Sequence, residues 1–142
     1  MNNPEDVRAS LVAKTIAVVG ASRDPSKDAH TVPVYLKLHG YDVIPVNPFA
    51  DEILGVKCYK SLLDIPGDVA KTIEVVDIFR PSEDVPPVID QAIELKKKHG
   101  RLKSVWMQLG ISNETAAETA RKAGLGVIQD ACIRIEHGRS LR

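Results

Sequence analysis

The stretch Thr15–Arg23, TIAVVGASR, constrains this chain more than any other. An unbroken apolar run stops at Gly20, and small residues follow before helix-forming sequence begins. Such a run suits a strand covered on both faces, as in a parallel sheet, and not one with a wet side. A glycine at the carboxyl end of the strand permits a tight turn and lets backbone N–H groups approach an anion, with the positive end of the next helix dipole behind them. The turn reads as a phosphate-holding element, but not of either common kind. Ala21, Ser22, Arg23, Asp24 and Pro25 follow Gly20, so the G-x-G-x-x-G dinucleotide pattern lacks its second and third glycines, and G-x-x-x-x-G-K-[ST] is missing as well.

Along the 142 residues, short apolar runs alternate with helical segments. Strands are predicted over Thr15–Val19, Asp42–Val46, Thr72–Ile78, Ser104–Leu109 and Gly126–Ile128. Helices are predicted over Thr31–His39 with Pro33 in the first turn, Val85–Lys98 with Pro86 and Pro87 at its start, and Ser112–Ala123 with Ser112 as the N-cap. Pro4–Ala13 reads as a leading helical segment (residues 1–13) packed on the outside, and Lys57–Ile65 as a loop with one short helical turn. This alternation implies an α/β class: a doubly wound, Rossmann-like fold with a five-stranded parallel sheet and right-handed crossovers, in a single domain over residues 1–142.

Composition narrows the function. Lysine plus arginine count 19 and aspartate plus glutamate count 19, so no global field holds nucleic acid or an anionic membrane surface. No apolar run approaches the roughly 20 residues that span a bilayer, and MNNPEDVRAS at the start is polar and acidic, unlike a secretory signal; a cytoplasmic protein is expected. Cys58 and Cys132 form no C-x-x-C pair, which argues against zinc and against a disulfide framework. Whether they pair or react singly stays open. His30, His39, His99 and His137 share no metal-ligand spacing, and no metal is assigned. No Ser-His-Asp order, paired carboxylates, H-E-x-x-H or nucleophile elbow appears, so the chain reads as a binder without evident catalytic machinery.

In sheets of this class the ligand sits outside the carboxyl ends of the strands, where strand order reverses. The loops there collect Ser22, Arg23, Lys27, Asn47, Phe79, Arg80, Gln108 and Cys132. Cations so placed on a neutral protein suggest a polyanionic ligand whose phosphates are shared among loops. At the end of the second strand, where NAD enzymes carry an acidic residue for the ribose, stands Asn47, which is compatible with a phosphorylated ribose and leaves NADP open on this point alone. The lost glycines count against any dinucleotide. Trp106, at a strand position, reads as core.

GASR at the first turn, VNP after the second strand, DIFRP after the third, WMQLGI at the fourth and DACIRIEH at the close stand in this order between Lys14 and His137. Together they resemble the small stand-alone coenzyme A-binding Rossmann proteins and, more weakly, the CoA-binding domain of the succinate-CoA ligase alpha subunit. The resemblance implies that Gly20, Ala21, Ser22 and Arg23 line the CoA pyrophosphate with Lys27 assisting, and that Val46, Asn47 and Pro48 border the adenosine. It also implies that Phe79 and Arg80 lie across the nucleotide, and that Gln108, Leu109 and Gly110 flank the pantetheine path. His137 carries no motif of the ligase's phosphorylated histidine, so ligase activity is not inferred.

The expected function is binding of coenzyme A or an acyl-CoA as a carrier, sensor or partner module. Two alternatives remain: an NADP-linked oxidoreductase with Arg23 or Arg80 on the 2′-phosphate, and a CoA-dependent thiol-redox protein using Cys132. Cys132 is either a buried small hydrophobe or a thiol able to exchange with that of CoA. The leading segment offers a face for pairing into a homodimer.

Overall fold

The computed structural model describes residues 2–141. Its strands are β1 Thr15–Val19, β2 Asp42–Val46, β3 Glu52–Ile53, β4 Val56–Lys57, β5 Val75–Ile78, β6 Ser104–Met107 and β7 Gly126–Ile128. Its helices are α1 Pro4–Leu11, α2 Asp28–Leu38, α3 Gly67–Ala70, α4 Val85–His99, α5 Glu114–Lys122 and α6 Ile133–Ser140. Five strands pair in parallel in the order β2-β1-β5-β6-β7, while β3 and β4 make a small antiparallel hairpin. From β1 the chain moves outward to β2 and then returns to β5 on the other side, so the strand order reverses between β1 and β5. The expected doubly wound α/β fold is the one observed.

The sheet is covered on both faces, which is why β1, β5 and β6 are buried along their whole length. On one face Val32 and Leu36 of α2 and Ile133 of α6 pack with Ile16, Val18, Val75 and Trp106. On the other, Val85, Ile89, Ala92 and Leu95 of α4 and the alanines of α5 pack with Ala17, Val76, Ile78 and Val105. Trp106 is wholly buried, as expected of a core residue, and its indole Nε1 donates to the Ala131 carbonyl at 2.8 Å. β2 forms an edge, where Pro45 costs no ladder bond; Tyr59 extends it, donating its amide to the Pro45 carbonyl at 3.1 Å and receiving the Asn47 amide at 2.9 Å. The leading segment packs outside as α1, with Asn3 capping it and Ser10 reaching Ser104 through buried hydroxyls 2.6 Å apart. Among the described residues, no helix is long and apolar enough to cross a membrane.

Several elements differ from the sequence expectations. The third parallel strand begins at Val75, not Thr72, because the Thr72 and Ile73 amides turn back to the carbonyls of Val69 and Ala70 and close the α3 turn. The fourth ends at Met107, where the chain swings through Gly110 with φ +82°. Asn113, not Ser112, caps α5, its side chain accepting from the Ala116 amide at 3.0 Å; the Ser112 amide goes to the Ser82 hydroxyl. The β3–β4 hairpin and α6 carried no clear signal. The hairpin turns on Leu54 at φ 58° followed by Gly55 at φ 73°, and α6 lacks a sustained apolar stripe. His39 and His137, unrelated in sequence, meet with ring centres 5.2 Å apart beside Tyr35, whose hydroxyl lies 2.8 Å from His137 Nδ1. Burial, aided by His39, lowers the His137 pKa.

Pro33 gives the most informative difference. Since α2 starts at Asp28, Pro33 sits in the helix interior and not in the first turn. A proline there has no N–H for the carbonyl four residues earlier, which is that of Ala29. That carbonyl is not orphaned, because the Ser22 amide donates to it at 3.0 Å. The missing helical bond thus becomes a tie between α2 and the turn after β1. In Pro33→Ala the restored N–H competes for the Ala29 carbonyl. Amide hydrogen exchange at Ser22 is then expected to accelerate, on the order of tenfold, while the helix persists; an unchanged Ser22 rate contradicts this account.

Candidate functional site

The carboxyl ends of β1 and β5 meet at Gly20 and Phe79. Gly20 holds φ +89°, and a Cβ placed on it would lie 2.5 Å from the Phe79 carbonyl oxygen. Glycine is therefore required twice over, for conformation and for space. The Gly20 amide donates to the Val46 carbonyl at 2.8 Å and the Phe79 amide to the Val19 carbonyl at 2.8 Å, so the ends of three strands interlock at this point.

Beyond Gly20 the turn is braced from inside. Ser22 accepts at its carbonyl from His30 Nδ1, 2.7 Å away, which fixes the proton on that nitrogen. The Ser22 hydroxyl accepts from the Asp24 amide at 3.0 Å. Asp24 in turn accepts from the backbone and hydroxyl of Ser26, which holds its pKa below the ordinary value. His30 was not marked by its sequence spacing; only the fold brings it back onto the loop. The amides of Ala21, Arg23, Asp28 and Ala29 donate to no acceptor among the described residues. Arg23 and Lys27 are exposed, and among the described residues neither takes part in an ion pair. Unspent N–H groups at Arg23 and at the start of the eleven-residue α2, with the exposed Arg23 and Lys27 on the same loop as Asp24 and Asp28, are groups of the kind that can receive an anion.

Gly20, Val46, Asn47, Pro48, Phe79 and Arg80 come together around a cavity of about 260 Å³ on the α4 side of the crevice. Val19, Phe49, Lys60, Ser61, Val88 and Gln91 complete it and were missed in the sequence as site residues, since nothing in their local patterns relates them to the switch point. Asn47 is largely committed within the protein: its Nδ2 donates to the Ala21 carbonyl and its Oδ1 accepts from the Phe49 amide, each at 2.8 Å. It clamps the second loop to the first. Arg80 pairs with Asp84 at 3.1 Å, but both are about half exposed, and such a pair is weak enough for a phosphate to compete with.

The remaining expected residues lie elsewhere along the edge. Ala21 is fully buried on the α2 face, backbone included, so it shapes the turn without offering a surface to a ligand. Gln108 is 3% exposed, and its Oε1 accepts from the Ile133 amide at 3.1 Å, tying β6 to the start of α6. Leu109 is exposed beside it, and the Gly110 amide is held by Asp130 at 2.7 Å. Cys132 is the N-cap residue of α6 and packs in the core in the place of a small hydrophobe. Cys58 is also a buried free thiol, its pKa raised by burial, so the two cysteines of the chain are not paired with each other. A larger recess of about 630 Å³ opens above β6 and β7, but its charged groups are committed within the protein, Asp130 to the Gly110 amide and the other two to each other. Arg121 pairs with Glu114 at 2.8 Å and Gln129 Nε2 donates to the same carboxylate, which lowers the Glu114 pKa. Among the described residues, no group of three His, Cys, Asp or Glu is arranged to hold a metal.

Beneath the crevice, Asp77 of β5 lies level with Val18 and Trp106. It is fully buried, and neither carboxyl oxygen has a hydrogen-bond partner. Burial drives its pKa well above the ordinary value; the adjacent Ile78 amide pulls weakly the other way without bonding to it. Unfolded, this carboxyl releases its proton near its ordinary pKa of 3.8; folded, it keeps the proton to higher pH. The native state therefore binds more protons across that window, and stability falls as pH rises, by up to about 1.4 kcal/mol per unit from this group.

These features connect to known proteins. Residues 14–138 match the family model described as a CoA binding domain. The chain is 37% identical over 140 residues to the uncharacterized protein YneT of Bacillus subtilis, covering 96% of this chain and 97% of that one. It is 40% identical over 91 residues to acetate–CoA ligase [ADP-forming] II of Archaeoglobus fulgidus, but that match takes in 63% of this chain and only 13% of the ligase. A hypothetical protein from Pyrococcus horikoshii OT3 has a solved structure that superposes with a TM-score of 0.87 at 43% identity, covering 99% of this chain and 93% of that one.

Two variants test the site's construction. Gly20→Ala is expected to lower the unfolding free energy by about 2–4 kcal/mol, from backbone strain plus overpacking, as read by denaturant titration. Asp77→Asn is expected to flatten the decline of stability with pH above about 4; parallel pH curves for variant and wild type would show that Asp77 ionises normally.

Proposed function

The chain belongs to the CoA binding domain family, and from that premise we propose that it holds coenzyme A or an acyl-CoA across the carboxyl edge of its sheet, as a carrier, sensor or partner module. The observation that carries this reading is the loop after β1: uncommitted amides of Arg23, Asp28 and Ala29 with the exposed Arg23 and Lys27 on the same loop, at the point where strand order reverses. An anion placed there gains N–H donors and a helix dipole without displacing existing bonds. In this reading the pyrophosphate lies over that loop. Arg80 supplies a planar fork to a phosphate across the crevice, and the VNP loop borders the adenosine. Gln108, Leu109 and Gly110 line the way to the thiol, with Gln108 holding the wall in place through α6.

Calorimetric titration with CoA, 3′-dephospho-CoA, NADH and NADPH tests the proposal. CoA is expected to bind most tightly; a preference for NADPH overturns it in favour of a nicotinamide-linked function. Arg23→Ala and Arg80→Ala are each expected to weaken CoA binding by about 1–3 kcal/mol without loss of the folded state. Unchanged affinity in both removes them from the site.

A further inference from the structure

Four rings join the end of α2 to α6. Tyr35 and His39 stack with ring centres 4.0 Å apart. His137, from α6, stands edge-on to Tyr35, His39 and Tyr41 at 5.5, 5.2 and 5.6 Å. The Tyr35 hydroxyl lies 2.8 Å from His137 Nδ1, while His39 Nδ1 donates to the Tyr35 carbonyl at 2.8 Å, since a carbonyl can only accept. A second proton on His39 therefore goes to Nε2. Ile133 is the one fully buried residue described in α6, so this cluster carries much of the docking of its second half. The first half is held by Gln108 Oε1 on the Ile133 amide at 3.1 Å, and by Trp106 Nε1 on the carbonyl of Ala131 just before the helix, at 2.8 Å.

We propose that these rings are a proton-sensitive latch: neutral imidazoles dock the end of α6 on α2, and acid, by charging both, releases the helix and loosens the Gln108 wall at its other end. The latch is independent of which ligand the carboxyl edge takes. Charged, the two rings would face each other about 5 Å apart with no carboxylate to offset them. The recess of about 280 Å³ that they border adds only a cation, Lys14, and Arg134 on α6 enters no ion pair among the described residues. The acids of the neighbouring elements are placed elsewhere. Glu136 pairs with Arg139 and Glu5 with Arg8, Asp6 lies against Gly126, Asp28 stands at the far end of α2, and Asp42 lines a separate recess with Thr15 and Asp68. Burial first, then His39, holds the His137 pKa below its ordinary 6.5. The opened helix thus takes up the proton before the docked one does, so docking is favoured at neutral pH and lost as pH falls below that value. Asp77 acts with the opposite sign, since its native state gains relative stability as pH falls, and cannot cause an acid-induced loosening.

The test is hydrogen exchange of the α6 amides between about pH 7.5 and 5, corrected for intrinsic exchange, in wild type, His39→Gln and His137→Phe. The α4 amides serve as internal reference, and emission of Trp106, the only tryptophan, reports on the root of α6. In the wild type, α6 protection is expected to fall about tenfold or more in acid while α4 stays protected, and the Trp106 emission changes in step. Both variants are expected to lose most of this fall. His39 is exposed, so His39→Gln carries the test if His137→Phe does not fold. A wild type without the fall, the same fall in the variants, or an equal fall in α4 overturns the proposal.

Discussion

The close approach of Gly20 to the Phe79 carbonyl is the contact on which the rest of the site depends. A Cβ would fall 2.5 Å from that oxygen, so the carboxyl ends of β1 and β5 meet only because residue 20 has no side chain. The contact lies where the chain, having gone outward from β1 to β2, returns to the opposite side of the sheet. A crevice must open above such a point, since the connections leave it in opposite directions. Its depth and width follow from how tightly the two strand ends are drawn together beneath it.

What surrounds that crevice is stiff. Proline in the interior of α2 frees the Ala29 carbonyl for the Ser22 amide, His30 grips the same residue through its carbonyl, and Asn47 ties the second loop to the first. Each bond consumes a group that could have met a ligand, and what remains unspent is the Arg23 amide and those at the start of α2, with the exposed Arg23 and Lys27 on the same loop. The polar atoms with structural duties and those left for recognition are thus largely separate sets. Pre-organisation of this kind lowers the ordering cost when a flexible, highly charged molecule binds. Asp77 is the exception to this economy: a carboxyl without partners at the centre of the sheet, tolerated in its neutral form and penalised by rising pH.

Much of this was legible in the residues. The apolar runs IAVV and IEVV, each followed by helical sequence, marked a parallel sheet, and the glycine after the first run marked the turn. The set of loops at the carboxyl edge followed from the fold rule. What was hidden depended on distance in sequence. Asn47 looked like a ribose contact because its type fits one, and its bonds to Ala21 and Phe49 exist only once β2 lies beside β1. His30 and the exposed Phe49 gave no periodic signal. Pro33 seemed to belong to a first turn because helix starts are poorly marked when, as with Lys27, the N-cap makes no side-chain bond. The β3–β4 hairpin turns through a leucine with positive φ, a conformation that residue type does not advertise.

The most direct measurement is a crystal structure of the protein grown with coenzyme A. Density for the pyrophosphate is expected over the amides that follow Gly20, within reach of Arg23, with the remainder of the molecule running along the strand ends. A crevice left empty with the cofactor lodged on another face, or a pyrophosphate held away from that turn, contradicts this reading.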